Sequence, residues 1–330
     1  MHRTSQQKRR QAFGRVPPCW GLVPVLILVC ACRQEPAAAG PEPTAAPPAA
    51  PAAGKLARQV DAAKLSEAFA ALNRLSPRPP ASKALADCRA FIRERLRAGG
   101  LSVQEEPFQA LTPVGPFQMA NVIGEKPGRS GRIIYLATHI DTKRMPGVRF
   151  VGANDSGSST AAVLELARVL SAADTRHTYR FAFFDGEEAL GRNITETDGL
   201  YGSRAHAREL ERRRESGQVR AFILLDMIGD MNLNLTDDQN SSGELRSLLA
   251  DCCRQLGDTA MLDGQRGAIV DDHMPFRELG IPVLDIIDFE YGYMNSYWHT
   301  ERDVPENVSV DSIARVTRAV LCMVEYFETE

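Results

Sequence analysis

Three features that often reveal a protein's role are weak in this 330-residue sequence. The formal net charge is only -3, so neither nucleic acid nor an acidic membrane is expected as the main partner. The sequence has seven cysteines, and the four beyond the N-terminal region, Cys88, Cys252, Cys253 and Cys322, show no spacing typical of a metal site. Histidine is scarce, with six residues, so each histidine beside acidic residues becomes a candidate for chemistry. The hydrophobic share of 44% is nevertheless sufficient for a sizeable core.

A long apolar segment is missing from the N-terminal region as well. The run from Leu22 to Val29 follows basic residues and predicts a secretory signal, because it is too short to span a bilayer as a stable helix. The sequence Val29-Cys30-Ala31-Cys32 resembles a bacterial lipobox. It predicts a lipoprotein-type signal over residues 1–32, with Cys32 as the lipidated mature N-terminus. An ordinary signal peptide cleaved nearby is the alternative.

The segment after the signal consists almost entirely of alanine, proline and glycine. Such a composition cannot bury enough surface to fold, so residues 33–55 are predicted to form a tether and residues 56–330 the folded domain. These features predict an exported protein of the periplasm or cell envelope. Its only membrane contact would be the lipid on Cys32.

From about residue 56, helix and strand patterns alternate. Apolar residues at helical spacing predict helices at 65–75, 82–98, 159–170, 202–214 and 311–327. Apolar runs predict strands at 121–123, 132–138, 179–184, 221–227 and 282–287. This alternation indicates a single α/β domain with a mostly parallel central sheet covered by helices on both faces.

In sheets of this kind, ligands bind beyond the carboxyl ends of the strands. Polar and aromatic residues stand at these ends or in the loops that follow: His139, Asp141, Asp155, Asp185, Glu187, Glu188, Asp226, Trp298 and His299. They are therefore expected to meet at one edge of the sheet.

Imidazole and carboxylate groups are zinc ligands, and three protein ligands leave one position open for water or substrate. Asp155, Glu188 and His299 supply such a set. With His139 and Asp226 added, the residues would suffice for two metals that share a carboxylate. Glu187 is expected to act as the acid/base beside the metal, because adjacent residues on a turn diverge.

Each of these residues has an ordinary explanation when it is taken alone. Asp155 before Ser156-Gly157 is typical of a helix N-cap, and an isolated Glu-Glu pair is typical of a solvated surface. The zinc prediction therefore depends on the arrival of all of them at one edge. His177 and His206 fall in a loop and on a helix surface, and both are interpreted as solvated.

Seven short motifs in this sequence together resemble one known family. In order along the chain they are THIDTK (138–143), VGANDSGSS (151–159), FFDGEEA (183–189), LYGSRAHA (200–207), LLDMIGD (224–230), VDDHMPF (270–276) and YWHTERD (297–303). The sequence is similar, over roughly residues 60–330, to the zinc exopeptidase family that contains secreted bacterial aminopeptidases and animal-type glutaminyl cyclases. The resemblance implies an enzyme with a mixed, mostly parallel sheet.

The two branches of this family imply different zinc sites. In the peptidase branch, two zinc ions are bound by the residues that match His139, Asp155, Glu188, Asp226 and His299. In the cyclase branch, one zinc is bound by the residues that match Asp155, Glu188 and His299. Glu187, Asp226 and Asp271 then match a proton-transfer network, and Trp298 and Lys143 match the substrate pocket.

Further details favour the cyclase branch. The segment 191–199 lengthens the gap before LYGSR as in cyclases, and Trp298 stands directly before His299. A second pocket tryptophan, expected near Arg192 and Asn193, is absent, and Thr138 replaces a cysteine of some animal cyclases. These departures put the fit of the substrate in question rather than the metal site.

The resulting prediction is a zinc-dependent glutaminyl-peptide cyclotransferase, which converts N-terminal glutamine to pyroglutamate and releases ammonia. Its partners would be peptides or proteins with N-terminal glutamine, it would bind no nucleic acid, and it would act as a monomer. The alternative is a di-zinc aminopeptidase. A non-catalytic binding domain and a related amidohydrolase are lesser alternatives.

Overall fold

The computed structural model describes residues 54–330, so the predicted signal, the lipidation at Cys32 and most of the tether lie outside the described residues. The helices are α1 (Ala62–Arg74), α2 (Lys83–Ala98), α3 (Ser159–Ser171), α4 (Tyr201–Arg212), α5 (Gly243–Leu256), α6 (Met274–Glu278) and α7 (Val310–Thr329). The strands are β1 (Ser102–Thr112), β2 (Gly115–Lys126), β3 (Ile133–His139), β4 (Thr178–Phe184), β5 (Val219–Asp226), β6 (Asp237–Asp238), β7 (Arg266–Gly267) and β8 (Val283–Ile287).

Six strands form the central sheet in the order β1-β2-β4-β3-β5-β8. The pairs β4–β3, β3–β5 and β5–β8 are parallel, whereas β1–β2 and β2–β4 are antiparallel. Strands β3, β4, β5 and β8 therefore end at the same edge. The short strands β6 and β7 pair separately.

Helices cover both faces of the sheet because the strand side chains alternate. Ile134 and Leu136 of β3 pack in one apolar cluster, with side chains from α1, α2, α3, α5 and α7. Tyr135 and Ala137 of the same strand pack in a second cluster, with side chains from α4 and α6. The predicted α/β fold, a mixed and mostly parallel sheet between two helical layers, is confirmed.

The β1–β2 hairpin is the main element that the sequence does not predict at full length. Only residues 121–123 of β2 were expected as strand, and β1 was not expected. Most side chains of β1 are partly or fully exposed, so its sequence lacks the continuous apolar run of a central strand. Along residues 54–330, no helix combines the length and apolar character needed to cross a membrane.

The interpretation of His177 and His206 as solvated is wrong. His206 is 5% exposed, and its ring lies 2.7 Å from Glu106 Oε2 and 3.0 Å from the Tyr135 hydroxyl. His177 is also buried, and its Nε2 lies 2.9 Å from the carbonyl oxygen of Phe327. Both errors arise because the partners are distant in sequence and leave no local signal.

Candidate functional site

The predicted site residues gather where the parallel strands end. His139 is the last residue of β3 and Asp226 the last residue of β5, while Glu187 and Glu188 follow β4. Asp155 lies in the turn Ala153–Ser158, which precedes α3. Because the parallel strands end at the same edge of the sheet, these side chains lie at that edge. The topology alone does not determine the distances between them.

Asp155, Glu188 and His299 form the first cluster, which we name the pocket group. One ligand atom of each lies within 4.8 Å of the others. The Nε2 atom of His299 is 3.0 Å from Glu188 Oε1 and 3.3 Å from Asp155 Oδ2. One imidazole nitrogen and two carboxylate oxygens thus converge, which is a donor set that suits zinc.

His139, Asp155 and Asp226 form a second cluster, which we name the inner group. The Nε2 atom of His139 is 3.1 Å from Asp226 Oδ1 and 3.3 Å from Asp155 Oδ1. One ligand atom of each residue again lies within 4.8 Å of the others. Asp155 belongs to both groups, with one carboxylate oxygen directed at each histidine.

The loop that carries Asp155 is held in place by a close backbone approach. Gly152 has φ 62°, a left-handed conformation that favours glycine. A Cβ atom at this position would lie 2.1 Å from the carbonyl oxygen of Asp155 and 2.5 Å from Thr142 Cγ2. Any larger residue would therefore push the Asp155 loop away from the loop that follows β3.

Two further carboxylates orient the backbone around the pocket group. The side chain of Asp141 accepts hydrogen bonds from the backbone N–H groups of Glu187 and Glu188, at 3.1 and 3.2 Å. The side chain of Asp303 accepts from the backbone N–H groups of Asn154 and Asp155, at 2.7 and 3.2 Å. Asp141 was noted as a strand-end residue without a role, and Asp303 was present only within a motif.

Arg78 is a functional candidate that sequence reasoning missed entirely. Its side chain is fully buried, and within residues 54–330 it forms no ion pair with a carboxylate. Its guanidinium donates to the carbonyl oxygens of Ile140 and Leu72, at 2.9 and 3.2 Å, and to Ser156 Oγ at 3.3 Å. Arg78 therefore joins the loop after β3 to the turn that carries Asp155.

A cavity of about 310 Å³ opens beside the pocket group. All three members of the pocket group line it, together with Glu187, Asp226 and Asp271. His139 does not line it and is only 1% exposed. The cavity thus gives a small molecule access to all three members of the pocket group, whereas in the inner group it reaches Asp155 and Asp226 but not His139.

Trp298 and Lys143 lie where the sequence predicts a substrate pocket, and both line the cavity. The Trp298 ring stacks on the His299 ring at 4.0 Å and meets the Phe289 ring edge-on at 5.0 Å. The Lys143 ammonium donates to the carbonyl oxygen of Ala189 at 2.7 Å and lies 3.3 Å from Glu188 Oε2. Trp298 is thus an apolar wall, while Lys143 supports the glutamate pair.

Comparison with known proteins identifies the family. The model of Peptidase family M28 matches residues 121–324, which is more than half of the chain. The chain belongs to Peptidase family M28.

The relatives of this Peptidase family M28 chain include both branches that the motifs suggest. A glutaminyl-peptide cyclotransferase of Bothrops jararaca is 30% identical over 289 residues, which cover 73% of this chain and 76% of the relative. A glutaminyl cyclase of an Acidobacteriales bacterium is 32% identical, has a TM-score of 0.78, and is matched over 87% of this chain and 99% of its own. The predicted resemblance is confirmed.

A second solved structure carries the name of a peptidase. It is a Zn-dependent exopeptidase from Parabacteroides distasonis, 23% identical with a TM-score of 0.73, matched over 82% of this chain and 99% of its own. At this identity the likeness supports the fold alone. The prediction of an enzyme from the family of glutaminyl cyclases and metallo-aminopeptidases is confirmed, and the roles of individual residues stay predictions.

Charge is concentrated in the cavity of this Peptidase family M28 chain. Burial raises the pKa of Glu187 well above its usual value; the negative charge of Asp271 adds to this, whereas His139 opposes it. Burial likewise raises the pKa of Asp271 well above its usual value, and Asp226 is the next contributor. Glu187, Asp226 and Asp271 thus have environments suited to holding protons.

The pKa values of the two histidines are raised as well, but by neighbouring carboxylates rather than by burial. Burial would lower the pKa of His139, but the charge of Asp226 and hydrogen bonds to Asp141 and Asp155 raise it well above the usual value. Hydrogen bonds to Asp155 and Glu188 outweigh burial and raise the pKa of His299 to about 9. In both groups the surrounding carboxylates favour a positive charge, which either a protonated histidine or a bound cation can supply.

Proposed function

We propose that this chain is a zinc-dependent glutaminyl-peptide cyclotransferase, which converts N-terminal glutamine of peptides to pyroglutamate with release of ammonia. The observation that carries this proposal is the orientation of the two groups. Asp155, Glu188 and His299 line the cavity, whereas His139 is buried behind it. The similarity to the cyclotransferases of Bothrops jararaca and the Acidobacteriales bacterium supports the same choice.

The pocket group would hold a single zinc ion. Its donor set fits this metal, since one imidazole and two carboxylates converge beside an open cavity. The chemistry that zinc supplies when bound in such a site is Lewis-acid polarisation of the γ-carbonyl oxygen of the substrate. Proton transfer and orientation of the substrate would be carried out by side chains of the protein.

Glu187 moves the proton. The substrate amine attacks the γ-carbonyl carbon of its own side chain, so a nitrogen–carbon bond forms and the bond from that carbon to the amide nitrogen breaks. The Glu187 carboxylate takes one proton from the attacking nitrogen and returns it to the leaving nitrogen, which departs as ammonia. Asp226 and Asp271, which line the same cavity, would share protons with Glu187 and hold it ready for this transfer.

Trp298 would hold the substrate side chain in a reactive conformation. Its ring is fixed between His299 and Phe289, so it offers a rigid apolar wall above the pocket group. A short glutamine side chain packed against this wall is held in a folded conformation, in which the amine and the γ-carbonyl lie close together. Arg192 and Asn193 line the cavity. They stand near the position at which the cyclase branch of the family is expected to carry a second pocket tryptophan.

A direct assay tests this proposal. The purified chain is incubated with zinc and a glutaminyl peptide, and the mass of the peptide and the released ammonia are measured. We expect the peptide to become lighter by one ammonia, with an equal amount of free ammonia. Glu187→Gln should retain zinc and lose about 10²- to 10⁴-fold in turnover.

Glu165→Gln provides the matched control, because Glu165 is a buried glutamate that binds Arg168 and the backbone N–H of Asp61 away from the cavity. This variant should keep turnover. Full activity of Glu187→Gln would show that the acid/base assignment is wrong. Hydrolysis of a leucyl-anilide with no effect on the glutaminyl peptide would overturn the cyclase proposal.

A di-zinc aminopeptidase is the second candidate function, and the inner group favours it. His139, Asp155 and Asp226 are assembled closely enough to hold a second ion. In that enzyme Glu187 would act on a water molecule rather than on the substrate amine. Metal analysis of the natural chain and of His139→Gln separates the two functions, since only the two-metal enzyme should lose an ion with this substitution.

We further propose that the chain is exported, anchored by a lipid at Cys32 and active as a monomer. The lipobox-like sequence supports the anchor. Expression of Cys32→Ser should move the protein from the membrane fraction to the soluble fraction of the cell envelope. An unchanged distribution would rule out the anchor.

A further inference from the structure

A third cluster of buried side chains lies apart from the pocket and inner groups. It consists of Asp238 in β6, His273 directly before α6, and Asp285 in β8. Each side chain is at most 2% exposed. One ligand atom of each lies within 4.8 Å of the others. No part of the proposed reaction uses these three residues.

The three side chains converge without bonding to one another. The Nε2 atom of His273 is 3.5 Å from Asp238 Oδ2, and its Nδ1 atom is 3.6 Å from Asp285 Oδ2, which are longer than ordinary hydrogen bonds. Both ring nitrogens of His273 and both carboxylate oxygens of Asp285 lack a hydrogen-bond partner among residues 54–330. Buried polar atoms are nearly always partnered, so these four atoms indicate a ligand.

The charge of the cluster indicates which kind of ligand. The imidazole nitrogens of His273, which have no hydrogen-bond partner among residues 54–330, are able to bind a metal. In the described part of the chain, neither Asp238 nor Asp285 forms an ion pair with a lysine or arginine. Two buried carboxylates without a cationic side chain are stabilised by a cation placed between them.

We propose that Asp238, His273 and Asp285 bind a divalent metal ion of the zinc type. One nitrogen and two carboxylate oxygens form a donor set that zinc accepts. One ligand atom of each residue lies within 4.8 Å of the others, so a small shift of the side chains would bring all three to bonds of about 2.0–2.1 Å with one ion.

The two nitrogens of the His273 ring would have different roles, since one binds the ion and the other faces a carboxylate oxygen. An ion bonds only one nitrogen of a histidine, and one oxygen of each carboxylate lies within 4.8 Å of that same nitrogen. The other nitrogen faces a carboxylate oxygen at 3.5 or 3.6 Å. A carboxylate that orients a metal-bound histidine through its second nitrogen is a common arrangement around zinc.

Neighbouring hydrogen bonds already orient the ligands. Ser241 Oγ donates to Asp238 Oδ2 at 2.7 Å and accepts from the backbone N–H of Asp285 at 2.8 Å. The backbone N–H of Ile269 donates to Asp238 Oδ1 at 2.8 Å. The ion would thus fasten the segment from Ile269 to Asp271, which forms one wall of the cavity, to β6 and β8.

Metal analysis in a variant without the other two groups tests this proposal. Asp155→Asn removes the ligand that the pocket and inner groups share, so the third cluster becomes the remaining site of the three. After zinc loading and dialysis of the purified full chain, we expect about one zinc per chain in Asp155→Asn and none in Asp155→Asn/Asp285→Asn. Zinc should also raise the melting temperature of the first variant and not of the second.

Asp288→Asn is the matched control in the same background, since Asp288 is a buried carboxylate near the end of β8 that binds the backbone N–H groups of Asn234 and Glu290 instead. This variant should keep the ion. Circular dichroism confirms that each variant is folded. Should Asp155→Asn not fold, the comparison is made between the natural chain and Asp285→Asn, which should bind one zinc fewer. Equal zinc content with and without Asp285 would overturn the proposal.

Discussion

The pocket group and the inner group share Asp155 and have nearly the same composition, yet their surroundings differ. The first lines a cavity of about 310 Å³ beneath Trp298, and its histidine is partly exposed. The second has a histidine that is 1% exposed and does not line the cavity. Two similar sets of ligands thus have unequal access to a substrate.

This difference shows why a list of ligand residues does not determine function in this fold. All five residues of the two groups are present, as an aminopeptidase with two metal ions requires. The groups differ in one member of the cavity wall: His299 of the pocket group lines the cavity, whereas His139 of the inner group does not. The following variants test whether that distinction governs turnover.

The largest effect is expected from Asp155→Asn. Residues around metal ligands contribute about 10- to 100-fold, so loss of a ligand common to both groups should cost on the order of 10³-fold or more in turnover. Steady-state kinetics with a glutaminyl peptide measures the loss. Near-normal turnover would mean that neither group binds the catalytic metal.

The two histidines should respond unequally. His299→Gln removes a ligand that faces the cavity and should lower turnover on the order of 10³-fold, whereas His139→Gln removes a partner of Asp155 and should cost about 10- to 100-fold. Parallel kinetics of the two variants provides the comparison, and each serves as the control of the other. Equal losses would favour the two-metal enzyme.

Arg78→Met should affect the loops that carry both groups. The substitution leaves the buried carbonyl oxygen of Ile140 without its side-chain donor and removes one of the donors to the Leu72 carbonyl oxygen, which keeps the backbone N–H of Leu75. An unpaired buried group costs about 1–3 kcal/mol. The free energy of unfolding should fall by about 2–4 kcal/mol. Urea denaturation measures it, and Arg78→Lys should recover part of it.

Arg78 also connects to Asp155 through Ser156, so turnover of Arg78→Met should fall while the KM changes little. A loss of stability with unchanged kinetics would limit Arg78 to a structural role.

The smallest effect is expected from Trp298→Ala. Removal of the apolar wall should lower kcat/KM about 10-fold, in the range of a lost hydrophobic contact, and should leave the bound zinc in place. Trp298→Phe keeps an aromatic wall and should lose less. An unchanged kcat/KM in Trp298→Ala would show that this wall does not hold the substrate side chain in its folded conformation.

Much of the fold follows from the sequence because its central strands are buried on both faces. The runs that became β3, β4, β5 and β8 are continuous and apolar, so their positions were predicted within a few residues. The position of strand β1 was not predicted, because an edge strand with many exposed polar side chains resembles a loop in pattern.

The convergence of Asp155, Glu188 and His299 was also predictable, since parallel strands end together. Contacts between residues that are far apart in sequence were not predictable. Arg78 contacts Ser156 across 78 positions, and Asp303 contacts Asn154 across 149, so neither contact leaves a local pattern. The same distance in sequence explains the error at His206, whose partner Glu106 is 100 positions away.

Asp155 gives the two groups a thermodynamic link. A metal ion on one oxygen of this carboxylate withdraws electron density and negative charge from the other, so an ion in either group weakens binding in its neighbour by the same factor. Zinc in the pocket group should therefore lower the affinity of the inner group for a second ion. The number of bound ions would then follow the free zinc concentration around the protein, and the metal supply of its compartment would govern how many ions the protein carries.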